Sequence, residues 1–398
     1  MSDDYKSLVR RTAMPLSVSA PVVTPIYPSV VYRSTDPDEL DAQYEGRLHG
    51  YTYAREGHPN AAVLAGKLDW LEGASGGIIT GSGMAALSAI LLGLLQKGEH
   101  ILAGDQLYGR SMRLLMQDLP RMGFAASLAD PTDAAAFEAA ITPETRMILV
   151  EVVSNPTLRI ADMAAIADMA KRHNILLVVD NTFTTPAAYR PFEHGADIVF
   201  HSVTKLLAGH SDVTLGYTVA RDAALQKAIY DAAVTWGLTP SPQECWLAER
   251  GLHSFALRFE RAQQNARALA DHLAGLQGVA QVYYPGRQDH PDHNRARAVL
   301  GDNPGNMLSF RLAGGRDAAN AFTNAAPHIP FAPTLGDVGT TLSHPASSSH
   351  RALSEEGRLK LGITQGFFRI SVGIEDIDQL KREFSAAVQA AYEVEAGA

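Results

Sequence analysis

The chain has 398 residues, of which 46% are hydrophobic and 19% are charged, and its formal net charge is −9. This composition is typical of a folded globular protein. The length exceeds the roughly 250–300 residues at which a single hydrophobic core stops growing, so we expect at least two domains. The Lys and Arg residues form no basic stripe, which argues against a nucleic-acid partner.

The sequence predicts a cytoplasmic protein. The N-terminal stretch MSDDYKSLVRRTAM has no apolar core of the kind that a signal peptide needs. The longest apolar run, AILLGLL, is far shorter than the ~20 residues that cross a bilayer, so no membrane partner is expected. Cys245 is the only cysteine, and the chain therefore cannot form an internal disulfide.

Residues 1–55 are predicted to form an extended arm. Five prolines are spread through this segment, and each removes a backbone donor and clashes with the preceding turn of a helix. From 56 to 240, short apolar runs such as MILVEVV and ILLVVD alternate with amphipathic stretches. This alternation is typical of a largely parallel β-sheet covered by helices on both faces, so we expect an α/β domain here.

A second domain is predicted from 241 to 398. The segment GLTPSPQ interrupts the alternation and precedes a long helical stretch from about Cys245 to Leu276. The runs MLSFRL and FRISVG are predicted strands of this domain. The stretch IDQLKREFSAAVQAAY is predicted to close it as a helix, because its apolar residues recur at helical spacing.

The glycines of TGSGMAA lie between a predicted strand and a predicted helix over 83–96. Free backbone N–H groups and the helix dipole at such a junction favour a bound phosphate. Gly81 to Ala86 also fit the dinucleotide pattern G-x-G-x-x-G/A, with Asp105 about where a ribose-binding acid is expected. The motif alone leaves three interpretations open: a PLP phosphate site, a nicotinamide dehydrogenase, and a tight turn without function.

Two further residues narrow this choice. Asp180 ends the strand ILLVVD, at the edge of a parallel sheet where ligands bind, although alone it fits a helix cap equally well. Lys205 follows the strand DIVF, and partial burial would lower the pKa of its amine and free it for Schiff-base chemistry. A PLP site needs a phosphate cradle, an acid for the pyridine nitrogen and a lysine for the aldehyde carbon, whereas a dehydrogenase needs no lysine. The combination predicts pyridoxal 5′-phosphate (PLP) as cofactor.

Six segments resemble the Cys/Met-metabolism family of PLP enzymes: TGSGMAA, EVVSNPTLRIAD, VVDNTF, HSVTKLLAGHSDVTLG, HPASSSH and FRISVGIED. The resemblance extends from Tyr53 to Asp376. It implies the type I fold of PLP-dependent transferases. In this fold a large PLP-binding domain with a mostly parallel seven-stranded sheet, here 56–240, is followed by a smaller C-terminal α/β domain. It also implies a homotetramer built of catalytic dimers.

The resemblance assigns roles to individual residues. Lys205 would carry PLP as a Schiff base and move the substrate's α-proton, Asp180 would hold the pyridine nitrogen, and Tyr108 would stack on the ring and serve the leaving group. Arg369 would clamp the substrate α-carboxylate beside Thr334, which replaces a usual serine. The remaining implied contacts are the phosphate ligands Ser202, Thr204, Gly83 and Met84, the ring-oxygen partner Asn155, and Tyr53 and Arg55, which would reach the phosphate of the neighbouring subunit.

Departures from the family pattern bear on the substrate. Gly339 stands where many γ-lyases have glutamate, and the SNP segment differs from that of many β-lyases. We therefore favour a cystathionine γ-synthase or sulfhydrylase over a cystathionine or methionine γ-lyase, with a non-catalytic relative as a remote alternative. Arg110 follows Tyr108-Gly109 and lies either at the rim of the substrate channel or on a solvated helix end. The sequence RQDHPDHNR is predicted to be a surface loop without a metal site.

Overall fold

The structure, a computed structural model, describes residues 17–351 and 353–397. Two β-sheets organise these residues, and each has its own apolar core. The strands of the first sheet are β1 (Ile78–Thr80), β2 (His100–Gly104), β3 (Ala125–Ala129), β4 (Thr145–Glu151), β5 (Leu176–Asp180), β6 (Ile198–Ser202) and β7 (Gly216–Ala220). Those of the second sheet are β8 (Val279–Tyr283), β9 (Met307–Leu312), β10 (Thr341–Ser343) and β11 (Phe367–Ser371).

The helices lie outside the two sheets. They are α1 (Pro37–Tyr44), α2 (Pro59–Glu72), α3 (Gly83–Leu94), α4 (Gly109–Arg113), α5 (Ala134–Ala139), α6 (Met163–His173), α7 (Thr185–Ala188), α8 (Ala223–Thr235), α9 (Pro242–Leu252), α10 (Phe255–Ala274), α11 (His293–Leu300), α12 (Arg316–Asn324), α13 (Glu355–Lys360) and α14 (Ile377–Ala396).

The first sheet has the strand order β1-β7-β6-β5-β4-β2-β3. Its strands β2 to β6 are parallel, and only β7 runs antiparallel to its neighbours β1 and β6. Most residues of β4, β5 and β6 are buried, because separate apolar clusters cover the two faces of the sheet. The prediction of a mostly parallel seven-stranded sheet is therefore confirmed.

The second sheet is antiparallel, with the order β10-β11-β9-β8. Phe310 and Phe368 stack with ring centroids 5.6 Å apart, and Phe322 and Phe384 complete the aromatic centre of its core. The predicted strands MLSFRL and FRISVG are β9 and β11, and the predicted closing helix is α14.

Two features differ from the sequence-based expectations. The arm contains the short helix α1, which Asp36 caps by accepting the amide of Glu39 and which has Pro37 in its first turn, where proline needs no amide partner. The helical stretch from Cys245 to Leu276 is divided into α9 and α10. At this division the amides of His253 and Ser254 bond to carbonyls three residues back, which ends α9.

The boundary at 240/241 stays a proposal. Helix α9 lies beyond this boundary, yet its buried Cys245 and Ala248 belong to the core of the first sheet. Helix α10 contributes Phe255 and Phe259 to the same core, while its second half packs on the second sheet. Helix α10 therefore joins the two cores.

Candidate active site

A cavity of about 250 Å³ lies at the carboxyl ends of β4, β5 and β6, beside the N-terminus of α3. Parallel strands place their C-terminal residues at one edge, which is where ligands bind in sheets of this kind. The predicted site residues that line the cavity are Gly83, Met84, Tyr108, Asn155, Asp180, Ser202, Thr204, Lys205, Thr334 and Arg369. Thr334 and Arg369 come from the part of the chain that forms the second sheet, so both parts of the fold build the site.

One end of the cavity is suited to an anion. The Ser82 hydroxyl caps α3 by accepting the amide of Ala85 at 3.0 Å. Within the described residues, the amides of Gly83 and Met84 hydrogen-bond to no acceptor, as expected for the first turn of a helix. A Cβ at Gly83 would lie 2.7 Å from the Ser202 Cβ, so only glycine lets the helix approach β6 this closely. Free amides and a hydroxyl thus converge as a phosphate requires.

Lys205 lies in the turn that follows β6. Its amide bonds to the carbonyl of Ser202, and its own carbonyl accepts the amide of Gly209. The side chain enters the cavity, where Nζ donates to Thr334 Oγ1 at 3.3 Å. Burial, and then the nearby charge of Arg369, lower the pKa of the amine. A larger fraction of Lys205 is therefore neutral and nucleophilic than of a solvated lysine.

Two carboxyl groups lie side by side at the ends of β4 and β5. Glu151 and Asp180 are paired in register, and both line the cavity. Burial raises the pKa of both, and the charge of Asp180 raises that of Glu151 further. A cation at the cavity would relieve this unfavourable pairing, and a protonated pyridine nitrogen beside Asp180 is such a cation.

Glu151 is a site residue that sequence reasoning missed. Its Oε1 accepts the amide of Tyr108 at 2.7 Å and thereby fixes the start of α4. The signal was present, because the runs MILVE and LLVVD both end in an acid and parallel neighbours align their ends. Only the strand order, which places β4 next to β5, makes the two acids adjacent.

Arg369 lies on β11 with 5% of its surface exposed. Nη1 donates to Asn155 Oδ1 and Nη2 to the carbonyl of Thr334, both at 2.7 Å, while the buried Nε has no acceptor within the described residues. No described carboxylate forms an ion pair with Arg369, and burial lowers its pKa to about 10. An anionic ligand in the cavity would supply the missing acceptor, as a substrate carboxylate does.

Three predicted site residues lie outside the cavity lining. Tyr53 and Arg55 are exposed, and the guanidinium carbon of Arg55 lies 5.0 Å from the centre of the Tyr53 ring. Arg110 is exposed in the first turn of α4. Tyr108 does line the cavity, with 44% of its surface exposed. Asp105, the acid that a dinucleotide would require, does not line the cavity.

The histidine-containing loop was predicted wrongly. His290 is only 4% exposed, its Nδ1 accepts the amide of Asp292, and burial lowers its pKa to about 4. The reason is that the Asp292 carboxylate binds Arg159 and the amide of Ile160, which holds the loop against the first sheet's body. As expected, the described residues contain no cluster of three or more side chains suited to a metal ion.

The fold and the site together define a PLP-dependent enzyme of the α/β class. The family model described as "Cys/Met metabolism PLP-dependent enzyme" matches residues 8–389, and the chain belongs to this family. It is 39% identical to cystathionine beta-lyase of Bacillus subtilis over 85% of this chain and 86% of that protein. It is 36% identical to O-succinylhomoserine sulfhydrylase of Pseudomonas aeruginosa, over 91% and 89% respectively.

A solved structure is similarly close. Cystathionine gamma synthase from Xanthomonas oryzae pv. oryzae, in complex with aminoacrylate and cysteine, is 38% identical, with a TM-score of 0.88 and 94% coverage of both chains. The protein is thus a PLP-dependent enzyme of the transsulfuration family. No helix among 17–351 and 353–397 has the length and apolar character to cross a membrane.

Proposed function

We propose that this enzyme replaces the γ-substituent of an O-acylhomoserine with a thiol, as a cystathionine γ-synthase or a sulfhydrylase does. One observation carries the proposal. Besides the residues with cofactor or carboxylate roles, the cavity is lined by a hydroxyl wall, which we define as Ser111, Ser343, Ser348 and Ser349. Hydroxyl donors suit the acceptor oxygens of an ester, whereas a second substrate carboxylate buried there would need a cation.

The surroundings of Gly339 support the same choice. Its amide donates to Asp337 Oδ1, and a Cβ at this position would lie 3.3 Å from that oxygen and 3.7 Å from Glu375 Oε1. A glutamate at 339, as many γ-lyases have, would therefore add a third carboxylate to two existing ones. The similar proteins named above include a lyase, a sulfhydrylase and a synthase, so overall identity does not select among these activities.

The residues of the cavity divide the chemistry among them. When bound, PLP accepts the electron pair that is released at the substrate's α-carbon. Arg369 holds the α-carboxylate, and the Lys205 amine, with its lowered pKa, takes the α-proton. Tyr108 lies at the cavity wall, where its phenol exchanges a proton with the departing carboxylate and the entering thiol. The γ-C–O bond breaks and a γ-C–S bond forms.

Cofactor binding completes the assignment. The amides of Gly83 and Met84, with the hydroxyls of Ser202 and Thr204, would hold the phosphate. Thr204 Oγ1 also accepts the amide of Leu215, which fixes its position. Asp180 would pair with the pyridine nitrogen, while Asn155, already bonded to Arg369, would lie beside the ring oxygen. The cytoplasmic location is part of this proposal.

A substrate screen tests the proposed reaction. O-acetylhomoserine and O-succinylhomoserine, each with cysteine or hydrosulfide, should give a thioether or thiol faster than they give an α-keto acid. Cystathionine and methionine, supplied alone, should react slowly. Keto acid released from cystathionine or methionine without any replacement product would identify a γ-lyase instead. A preference for the succinylated ester would support the predicted specificity role of Arg110, whereas equal rates would leave Arg110 as a surface residue.

We also propose that two chains share each site, within a homotetramer of catalytic dimers. Tyr53 and Arg55 are exposed and lie outside their own chain's cavity, which is consistent with a role at a neighbouring phosphate. Mixing Arg55→Ala chains with Lys205→Ala chains should restore part of the activity, because some hybrid dimers then contain one intact site. No recovery after demonstrated subunit exchange would mean that each chain builds its own site.

A further inference from the structure

Arg258 is a buried cation directly behind the turn that carries Lys205. It lies in the first turn of α10 with 6% of its surface exposed. Nη1 donates to the carbonyl of Leu206 at 2.9 Å, and Nη2 donates to the carbonyl of Leu207 at 3.1 Å. The guanidinium thus binds the two residues that immediately follow Lys205.

The same side chain binds the junction of α9 and α10. Nη2 also donates to the carbonyl of Gly251 at 3.0 Å, and Nε donates to Ser254 Oγ at 3.1 Å. Each of the three guanidinium nitrogens therefore has an acceptor. One planar group connects the Lys205 turn to the helix that joins the two cores, and the strand of Arg369 belongs to the second of these cores.

The backbone around the turn is shaped to admit this guanidinium. Gly209 has a φ of +76°, and a Cβ there would overlap Nη1 of Arg258. The carbonyl of Gly209 accepts the amide of Val338 at 2.8 Å, and a Cβ at Gly336 would overlap the amide of Leu206. The turn is therefore enclosed between Arg258 on one side and the segment 336–338 on the other.

Arg258 forms no ion pair with a carboxylate of the described residues, and burial lowers its pKa against the opposing charge of Asp337. A buried guanidinium is unfavourable unless its donors are satisfied. Here carbonyl oxygens satisfy it, and four donors fixed in one plane define the position of the groups that they bind. Lysine has no such planar fork.

We propose that Arg258 is a positioning residue that holds the Lys205 turn in register with the α9–α10 junction, and so sets the place of the Lys205 amine relative to Arg369. The inference rests on the proposed role of Lys205. It assigns Arg258 no contact with substrate or cofactor, because Arg258 is absent from the cavity lining.

The test compares Arg258→Lys holoenzyme with the matched control Arg261→Lys, which changes an exposed arginine of the same helix. We expect hydrogen exchange of the peptide covering 203–209 to be at least tenfold faster in Arg258→Lys, with exchange in the second core unchanged. The value of kcat should fall at least tenfold while KM changes less than threefold, because proton transfer depends on the amine position and substrate binding depends on Arg369. Arg261→Lys should match the wild type.

Exchange and kcat that both stay within twofold of the wild type would overturn the proposal. Reduced kcat with unchanged exchange would also overturn it, since the turn would then be held by other contacts. Faster exchange with unchanged kcat would instead contradict the role of Lys205. Ser254→Ala removes only the acceptor of Nε. If Arg258→Lys does not fold, Ser254→Ala should show the same changes at smaller size, and no change in it would overturn the proposal.

Discussion

Replacing Lys205 by alanine should reduce turnover by at least roughly 10³-fold, because one residue both attaches the cofactor and moves the substrate's α-proton, and general acid–base catalysis alone contributes about 10²–10⁴-fold. The side chain is buried and its amine contacts only Thr334 Oγ1 within the described residues. Alanine therefore removes the reactive group and one weak hydrogen bond. Steady-state release of the acyl group from O-acylhomoserine measures the effect.

A suitable control is Lys227→Ala, which removes an exposed amine that pairs with Asp231 on the surface of α8. This variant should retain wild-type turnover, and both variants should bind the dimer partner and unfold at similar temperatures. Wild-type turnover in Lys205→Ala would show that another group removes the α-proton.

Asp180→Asn should have the second largest effect. Asparagine keeps the shape of the side chain and can still accept the amide of Thr182 at Oδ1. It loses the charge that keeps the pyridine nitrogen protonated, which weakens the electron sink. Loss of one charged hydrogen bond costs about 1.5–3 kcal/mol, which corresponds to a decrease of roughly 10- to 150-fold in the rate of α-proton exchange. Incorporation of solvent deuterium at the substrate's α-carbon measures this rate directly.

The stability of this variant separates function from folding. Asp180 and Glu151 are buried neighbours with raised pKa values, so the neutral asparagine removes an unfavourable interaction. We expect the free energy of unfolding of the cofactor-free protein to stay the same or to rise. A fall in stability together with unchanged deuterium exchange would mean that Asp180 is a structural residue.

The sequence was sufficient to predict the sheet and most of the cavity. Residues at the ends of buried parallel strands, such as Asp180 and Lys205, are brought together by the topology, whatever the details of side-chain packing. The pattern did not reveal Glu151, because its importance depends on β4 lying next to β5. It also did not reveal Arg258, whose partners are backbone carbonyls about 50 residues away and leave no residue-type signature.

Local breaks were also difficult to predict. The division between α9 and α10 depends on two tightened hydrogen bonds and on Gly251, where a Cβ would overlap the carbonyl of Ala208. The burial of His290 depends on an ion pair between Asp292 and Arg159, which lie 133 residues apart in the sequence. In each case a long-range contact overrides a polar or helical local pattern.

The central claim, that this chain carries PLP on Lys205 in the cavity between its two sheets, is tested most directly by reduction with borohydride followed by peptide mapping. The reduced holoenzyme should contain one pyridoxyl phosphate group per chain, and the labelled peptide should be the one that contains Lys205. The Lys205→Ala variant should contain none. A label on another lysine, or full activity without any label, would contradict the account.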